Sequence, residues 1–134
     1  MAMSDGINFN CMPCIYWDDH VKISYLQRRI IVYSIMYYEQ DESCVSDRQY
    51  DAISYQLVHL QSSVPEAEWK KSMYYYAMYD FDGSTGFDIP SRLTKKDREY
   101  LTNIATMVYK QWKSHTTLEE RRAKLNVNVK GLRV

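Results

Sequence analysis

From His20 to Glu39 the apolar residues Ile23, Leu26, Ile30, Tyr33 and Tyr37 recur at intervals of three and four, a spacing that predicts an amphipathic helix. Asp18 and Asp19 stand before it, where carboxylates favour the positive end of a helix. Ile31, Ile35 and Tyr38 widen the stripe, so this helix is expected to be central and buried on more than one side. The polar segment Gln40 to Val45 interrupts the period. Ser46 with Gln49 then forms an S-x-x-Q capping box, and Tyr50, Ile53, Leu57 and Leu60 give a second apolar seam. A turn this short predicts an antiparallel helical hairpin.

Pro65, with Glu66 and Glu68 in the following turn, opens a third predicted helix. Its body, WKKSMYYYAMY, is read as helix from Trp69, Met73, Tyr76 and Ala77, although the tyrosine run also suits a strand. Asp80 to Pro90 is a loop rich in Gly, Asp, Ser and Thr. Thr94 and Asp97 cap a long helix marked by Tyr100, Leu101, Ile104, Val108 and Trp112. A short charged helix follows at 118–125. The tail 126–134 is either a frayed arm or a single strand seeking a partner. The expected fold is therefore all-α: a small helical bundle in one domain, 1–134, built around the hairpin 20–62. An irregular arm at 1–19 precedes the hairpin, and additional helices at 63–125 and the C-terminal tail follow it.

Charge adds little, because Lys plus Arg and Asp plus Glu number 17 each. No global field recruits nucleic acid or an anionic membrane, so neither is an expected partner. No apolar run reaches the roughly 18 to 20 residues needed to span a bilayer. The N-terminus has neither the basic start nor the apolar centre of a signal peptide. Three cysteines suit a reducing compartment, and a cytoplasmic protein is expected. Tyrosine is the outlier, with 13 residues against three phenylalanines, which fits half-buried helix faces or a contact surface.

Conventional catalytic chemistry is sparse. Cys11 and Cys14 form a C-x-x-C pair, but no second ligand pair at zinc spacing accompanies it and no strand-to-helix setting of the thioredoxin kind surrounds it. His20, His59 and His115 have no partner at triad or metal spacing. The loop Asp82-Gly83-Ser84-Thr85-Gly86 lacks the lysine and following helix of a P-loop and reads as a plain turn. The basic residues Arg121, Arg122 and Lys124, with Lys130 and Arg133 beyond them, suit either contact with nucleic acid or a solvated helix face, and their balance by Glu119 and Glu120 favours the second as the expectation. Tyr74, Tyr75, Tyr76 and Tyr79 cannot all face inward on one helix, which marks Tyr74, Tyr75 and Tyr79 as candidates for meeting a partner protein.

Asp47, Tyr50 and Asp51 fall at i, i+3 and i+4, placing an aromatic ring and two carboxylates on neighbouring ridges of one helix. Dipole complementarity and hairpin packing explain the three without a ligand. Together with Tyr37, however, the stretch Tyr37 to Leu60 resembles domain Ia of the NAD-dependent DNA ligases, the helical module that holds the nicotinamide mononucleotide (NMN) half of NAD. In that family a helix ends in Tyr-His, and an acidic turn leads without gaps to Asp-x-x-Tyr-Asp-x-Leu. Tyr37, Asp47, Tyr50 and Asp51 match in register, over a similarity running from Ile23 to Gln61. The resemblance implies ring stacking by Tyr37 and Tyr50, and hydrogen bonding of ribose hydroxyls by Asp47 and Asp51. Tyr38 stands where the family has histidine, so a neutral phenol replaces a group able to offer a cation to phosphate.

No K-x-D-G lysine is present: the nearest string, Asp80-Phe81-Asp82-Gly83, has aspartate in its place and reads as a chance likeness, and the chain is too short for the catalytic and DNA-encircling domains of a ligase. As a free-standing module it is similar to small ligase-related proteins of phages of low-GC Gram-positive bacteria. Two functions are therefore expected of a non-catalytic protein. One is inhibition or redirection of a host protein of nucleic-acid metabolism or antiviral defence through the tyrosine surface. The other is binding of NMN, NAD or a related nucleotide by Tyr37, Tyr38, Asp47, Tyr50 and Asp51. Neither requires a cofactor or a metal.

Overall fold

The helix α1 (Asp19–Glu39) takes its place from the breadth of its apolar surface. All seven residues from Ile30 to Met36 are buried, so protein surrounds this helix for about two turns. Two long helices, α2 (Asp47–Ser63) and α6 (Lys95–Ser114), pack against it, and the single turns α3 (Glu66–Trp69) and α5 (Ile89–Arg92) also touch it. Another single turn, α4 (Tyr75–Met78), packs on α5. In this computed structural model the described residues are 16–115 and Glu120; they contain helices and no β-strand, and the fold is all-α. Cys11 and Cys14, the cluster Arg121, Arg122 and Lys124, and the tail 126–134 lie outside the described residues, as does the predicted helix 118–125 except for Glu120.

The helix ends explain the spacing of the long elements. Gln40 closes α1, Asp41 turns into the left-handed region at φ 53°, and the Glu42 N–H returns to the Met36 carbonyl at 2.9 Å. Aspartate tolerates that conformation better than most side chains. Ser46 then caps α2 reciprocally: its hydroxyl accepts from the Gln49 N–H at 3.1 Å, and the Gln49 side chain accepts from the Ser46 N–H at 2.8 Å. Thr94 caps α6 by accepting from the Asp97 N–H at 3.2 Å. Leu57 of α2 and Leu101, Ala105 and Trp112 of α6 are buried against α1. Each fully buried large apolar side chain of this kind contributes about 1.5–3 kcal/mol.

Several sequence expectations give way here. Tyr100 does not join the apolar stripe of α6; it is 51% exposed, with the Arg28 guanidinium over its ring at 5.5 Å. The loop expected to run to Pro90 ends earlier, because Ile89 and Pro90 open α5, a place where proline's fixed φ is compatible with a first turn. The third predicted helix is broken into α3 and α4. Two side chains of α1 cause the break. Ser24 Oγ accepts from the Met73 N–H at 2.8 Å, and Gln27 Oε1 accepts from the Tyr74 N–H at 3.1 Å. Those donors would serve carbonyls of Trp69 and Lys70 in a continuous helix. Ser72 Oγ reinforces the turn by donating to the Trp69 carbonyl at 2.6 Å while accepting from Gln27 Nε2 at 3.0 Å.

His20 has the carboxylate partner that its sequence spacing conceals. Its Nδ1 lies 3.0 Å from Glu68 Oε2, and its backbone N–H donates to the same oxygen at 3.3 Å, fastening α1 to α3. These contacts hold the Glu68 carboxyl down at about 2, first through the hydrogen bond from the His20 side chain and then through that from Lys71. A carboxyl depressed in the folded state stabilises it fully above the ordinary value of 4.5 and loses that contribution as pH falls toward 2. Thermal melts across this window should show a steeper loss of Tm for the wild type than for Glu68→Gln. Parallel slopes would mean that this contact plays no part in acid sensitivity.

Candidate functional site

Where the last turns of α1 approach the first turn of α2, a cavity of about 310 Å³ opens between the two helices and the 79–88 connector. That is near the lower end of the range for small-molecule sites, about 300–1,000 Å³. Tyr33 and Tyr37 line it one helical turn apart, as do Ser34 and Tyr38 on the adjacent ridge. From α2 come Asp47, Tyr50 and Asp51, and Ser84 of the connector completes the wall. The cavity thus brings together all five residues expected to hold a ligand: Tyr37, Tyr38, Asp47, Tyr50 and Asp51.

The floor is tied by a hydrogen bond across the helices, Ser34 Oγ to Tyr50 Oη at 3.0 Å. Gly86 lies so close over this pair that its missing side chain is a requirement of the contact. Tyr38 is in contact with the connector at two residues. Its hydroxyl bonds Thr85 Oγ1 at 3.0 Å, and its ring meets those of Tyr37 and Phe87 edge-on at 4.8 and 5.4 Å. Tyr38 is thus both a wall of the cavity and the strut of the loop above it. Burial pushes the Tyr33 hydroxyl up to about 12 against the opposing pull of Arg29, so Tyr33 presents a neutral phenol at any physiological pH.

The connector is an internally bonded turn and not an anion cradle. Asp82 Oδ1 accepts from the Ser84 N–H at 3.0 Å and from its hydroxyl at 2.6 Å, bonds that hold the Asp82 carboxyl below the usual range. Gly83 adopts φ 91°, and the Phe87 N–H donates to Thr85 Oγ1 at 3.2 Å. Two loop amides are therefore spent within the loop. Sequence reasoning missed Tyr33, Ser34, Ser84 and Gly86. For the first two, the signal was their i−4 relation to Tyr37 and Tyr38; for Ser84 and Gly86, no local signal exists.

The tyrosine patch fares differently. Tyr74 is 2% exposed and cannot meet a partner, because its backbone is drawn to Gln27 and its ring is in the core. Tyr75 is half-buried, with Trp69 edge-on at 5.0 Å. Tyr79 is 54% exposed and lies under the Arg92 guanidinium at 5.8 Å. Tyr76, not among the expected contact residues, is also exposed and donates its hydroxyl to Asp97. His59 stacks on Tyr55 at 5.8 Å, and His115 ends α6. Among the described residues no group of His, Cys, Asp and Glu is arranged to hold a metal ion, and no helix is long and apolar enough to cross a membrane. The chain matches no protein-family model, no curated protein and no solved structure.

Proposed function

We propose that the protein is a binding module for a nicotinamide nucleotide or nucleoside, held between α1 and α2. The observation that carries this reading is the meeting of Tyr37, Tyr38, Asp47, Tyr50 and Asp51 in one cavity, although the first two lie on a different helix from the rest. Aromatic faces attract a pyridinium ring through its positive charge. Carboxylates accept the hydroxyl hydrogens of a ribose in charge-assisted bonds. The role is binding without ligation, in keeping with the lack of a K-x-D-G lysine in the sequence.

Action on a host protein through Tyr74, Tyr75 and Tyr79 ranks below this reading, since burial of Tyr74 breaks up that surface. Calorimetry with nicotinamide riboside, NMN and NAD should give saturable binding of at least one of them. Asp51→Ala should weaken it at least tenfold, because a hydrogen bond to a charged group is worth about 1.5–3 kcal/mol. Absence of binding by all three at millimolar concentration, or equal affinity in the variant, would overturn the proposal.

A further inference from the structure

The cavity, at about 310 Å³, lies near the lower end of the range for small-molecule sites, so a ligand much larger than a mononucleotide has to continue over its rim. Part of that rim is built from Tyr38, which is 40% exposed, and from Ser84 of the connector. Three residues beyond Ser84 stands Phe87, whose ring meets that of Tyr38 at 5.4 Å and an interplanar angle of 83°. Phe87 is 64% exposed, so most of its ring lies open beside the cavity wall.

The backbone that carries this ring is fixed on both sides. The Phe87 N–H donates to Thr85 Oγ1 at 3.2 Å, the same oxygen that the Tyr38 hydroxyl meets at 3.0 Å. The Gly86 carbonyl accepts from the Ile89 N–H at 3.2 Å, and both Gly86 and Ile89 are buried. An exposed aromatic side chain is thus presented at a set position by an anchored loop. A group placed before binding loses little freedom when a ligand reaches it.

We infer that Phe87 is the platform of a second subsite, on which the purine base of a dinucleotide stacks while the nicotinamide half occupies the cavity between α1 and α2. This deepens the proposed function and rests on it. Every heteroaromatic base has a face to offer an aromatic side chain, so stacking on Phe87 adds affinity through ring area and not through charge. The helices hold the first ring, and the connector reads whether a second one is attached.

Titration calorimetry of the full chain with NMN and NAD tests it, read as the ratio of the two affinities. NAD is expected to bind at least about fivefold more tightly than NMN, the low end of base–aromatic stacking. Phe87→Leu, checked for folding by circular dichroism, should bring the ratio close to one, and Phe87→Trp should keep it. The ratio is the readout because loss of the contact with Tyr38 would change both affinities together. Leucine also leaves the charge of the site unaltered, so a preference set by the diphosphate would survive it. A ratio below fivefold in the wild type, or one that Phe87→Leu keeps or Phe87→Trp loses, overturns this inference and leaves the proposed function standing. No binding by NAD, NMN or nicotinamide riboside overturns both.

Discussion

Gln27→Met is expected to destabilise the protein by about 2–4 kcal/mol, since each buried polar group left unsatisfied costs about 1–3 kcal/mol. Gln27 is fully buried in α1, and its amide makes both of its bonds to the turn between α3 and α4, to the Tyr74 N–H and to Ser72 Oγ. Methionine preserves most of the volume, so little of the loss would come from a cavity. The stranded Tyr74 N–H belongs to a residue that is 2% exposed, so solvent does not replace the lost acceptor. Ser72→Ala removes the other end of one bond and should cost less, because it spares the Tyr74 amide. Urea unfolding at constant slope measures both. A change below about 0.5 kcal/mol in Gln27→Met, the range of ordinary surface substitutions, would show that the turn forms without this amide.

The same residue shows where sequence reading stops. The long helices α1, α2 and α6 announce themselves through period and caps, because the interactions that define them lie within four residues. The break between α3 and α4 is decided by Ser24 and Gln27, from 45 to 49 residues away. Local propensity in WKKSMYYYAMY had no access to that competition, so one helix was expected where two turns exist, and Tyr74 was assigned outward when it points into the core. His20 and Glu68 were unpartnered on paper for the same reason.

The candidate site divides along the same line. Asp47, Tyr50 and Asp51 were legible from their spacing on one helix, and Tyr37 from its gapless position before them. What the spacing left open was whether these residues face one space, which depends on how α1 and α2 pack and on what covers them. Ser34 looked like one more position on a broad helix surface, yet it supplies the oxygen that fixes Tyr50 across the interface. Gly86 looked like an ordinary loop glycine, but its value lies in what it lets approach. Covering loops are specified by long-range contacts, and a turn signal says only that the chain bends.

Gly86→Ala tests that contact directly and is expected to destabilise the protein by about 1–3 kcal/mol, the usual cost of overpacking. A methyl group there would overlap Ser34 Oγ and Tyr50 Oη and lie 3.1 Å from Ser34 Cβ. Ser34 is buried on α1 and cannot move aside, so either its bond to Tyr50 breaks or the connector lifts, pulling Thr85 and Phe87 from Tyr38. Restricting the unfolded chain returns about 0.4–1 kcal/mol to alanine, which only partly offsets the clash. Both outcomes disturb a wall of the cavity, and ligand affinity should fall with stability. The assignment can be checked in a Ser34→Ala, Tyr50→Phe background, where both oxygens are gone and the penalty of Gly86→Ala should shrink markedly. Contacting residues couple in such cycles by about 0.5–3 kcal/mol. A penalty of the same size in both backgrounds would place the strain elsewhere in the connector and remove Gly86 from the architecture of the site.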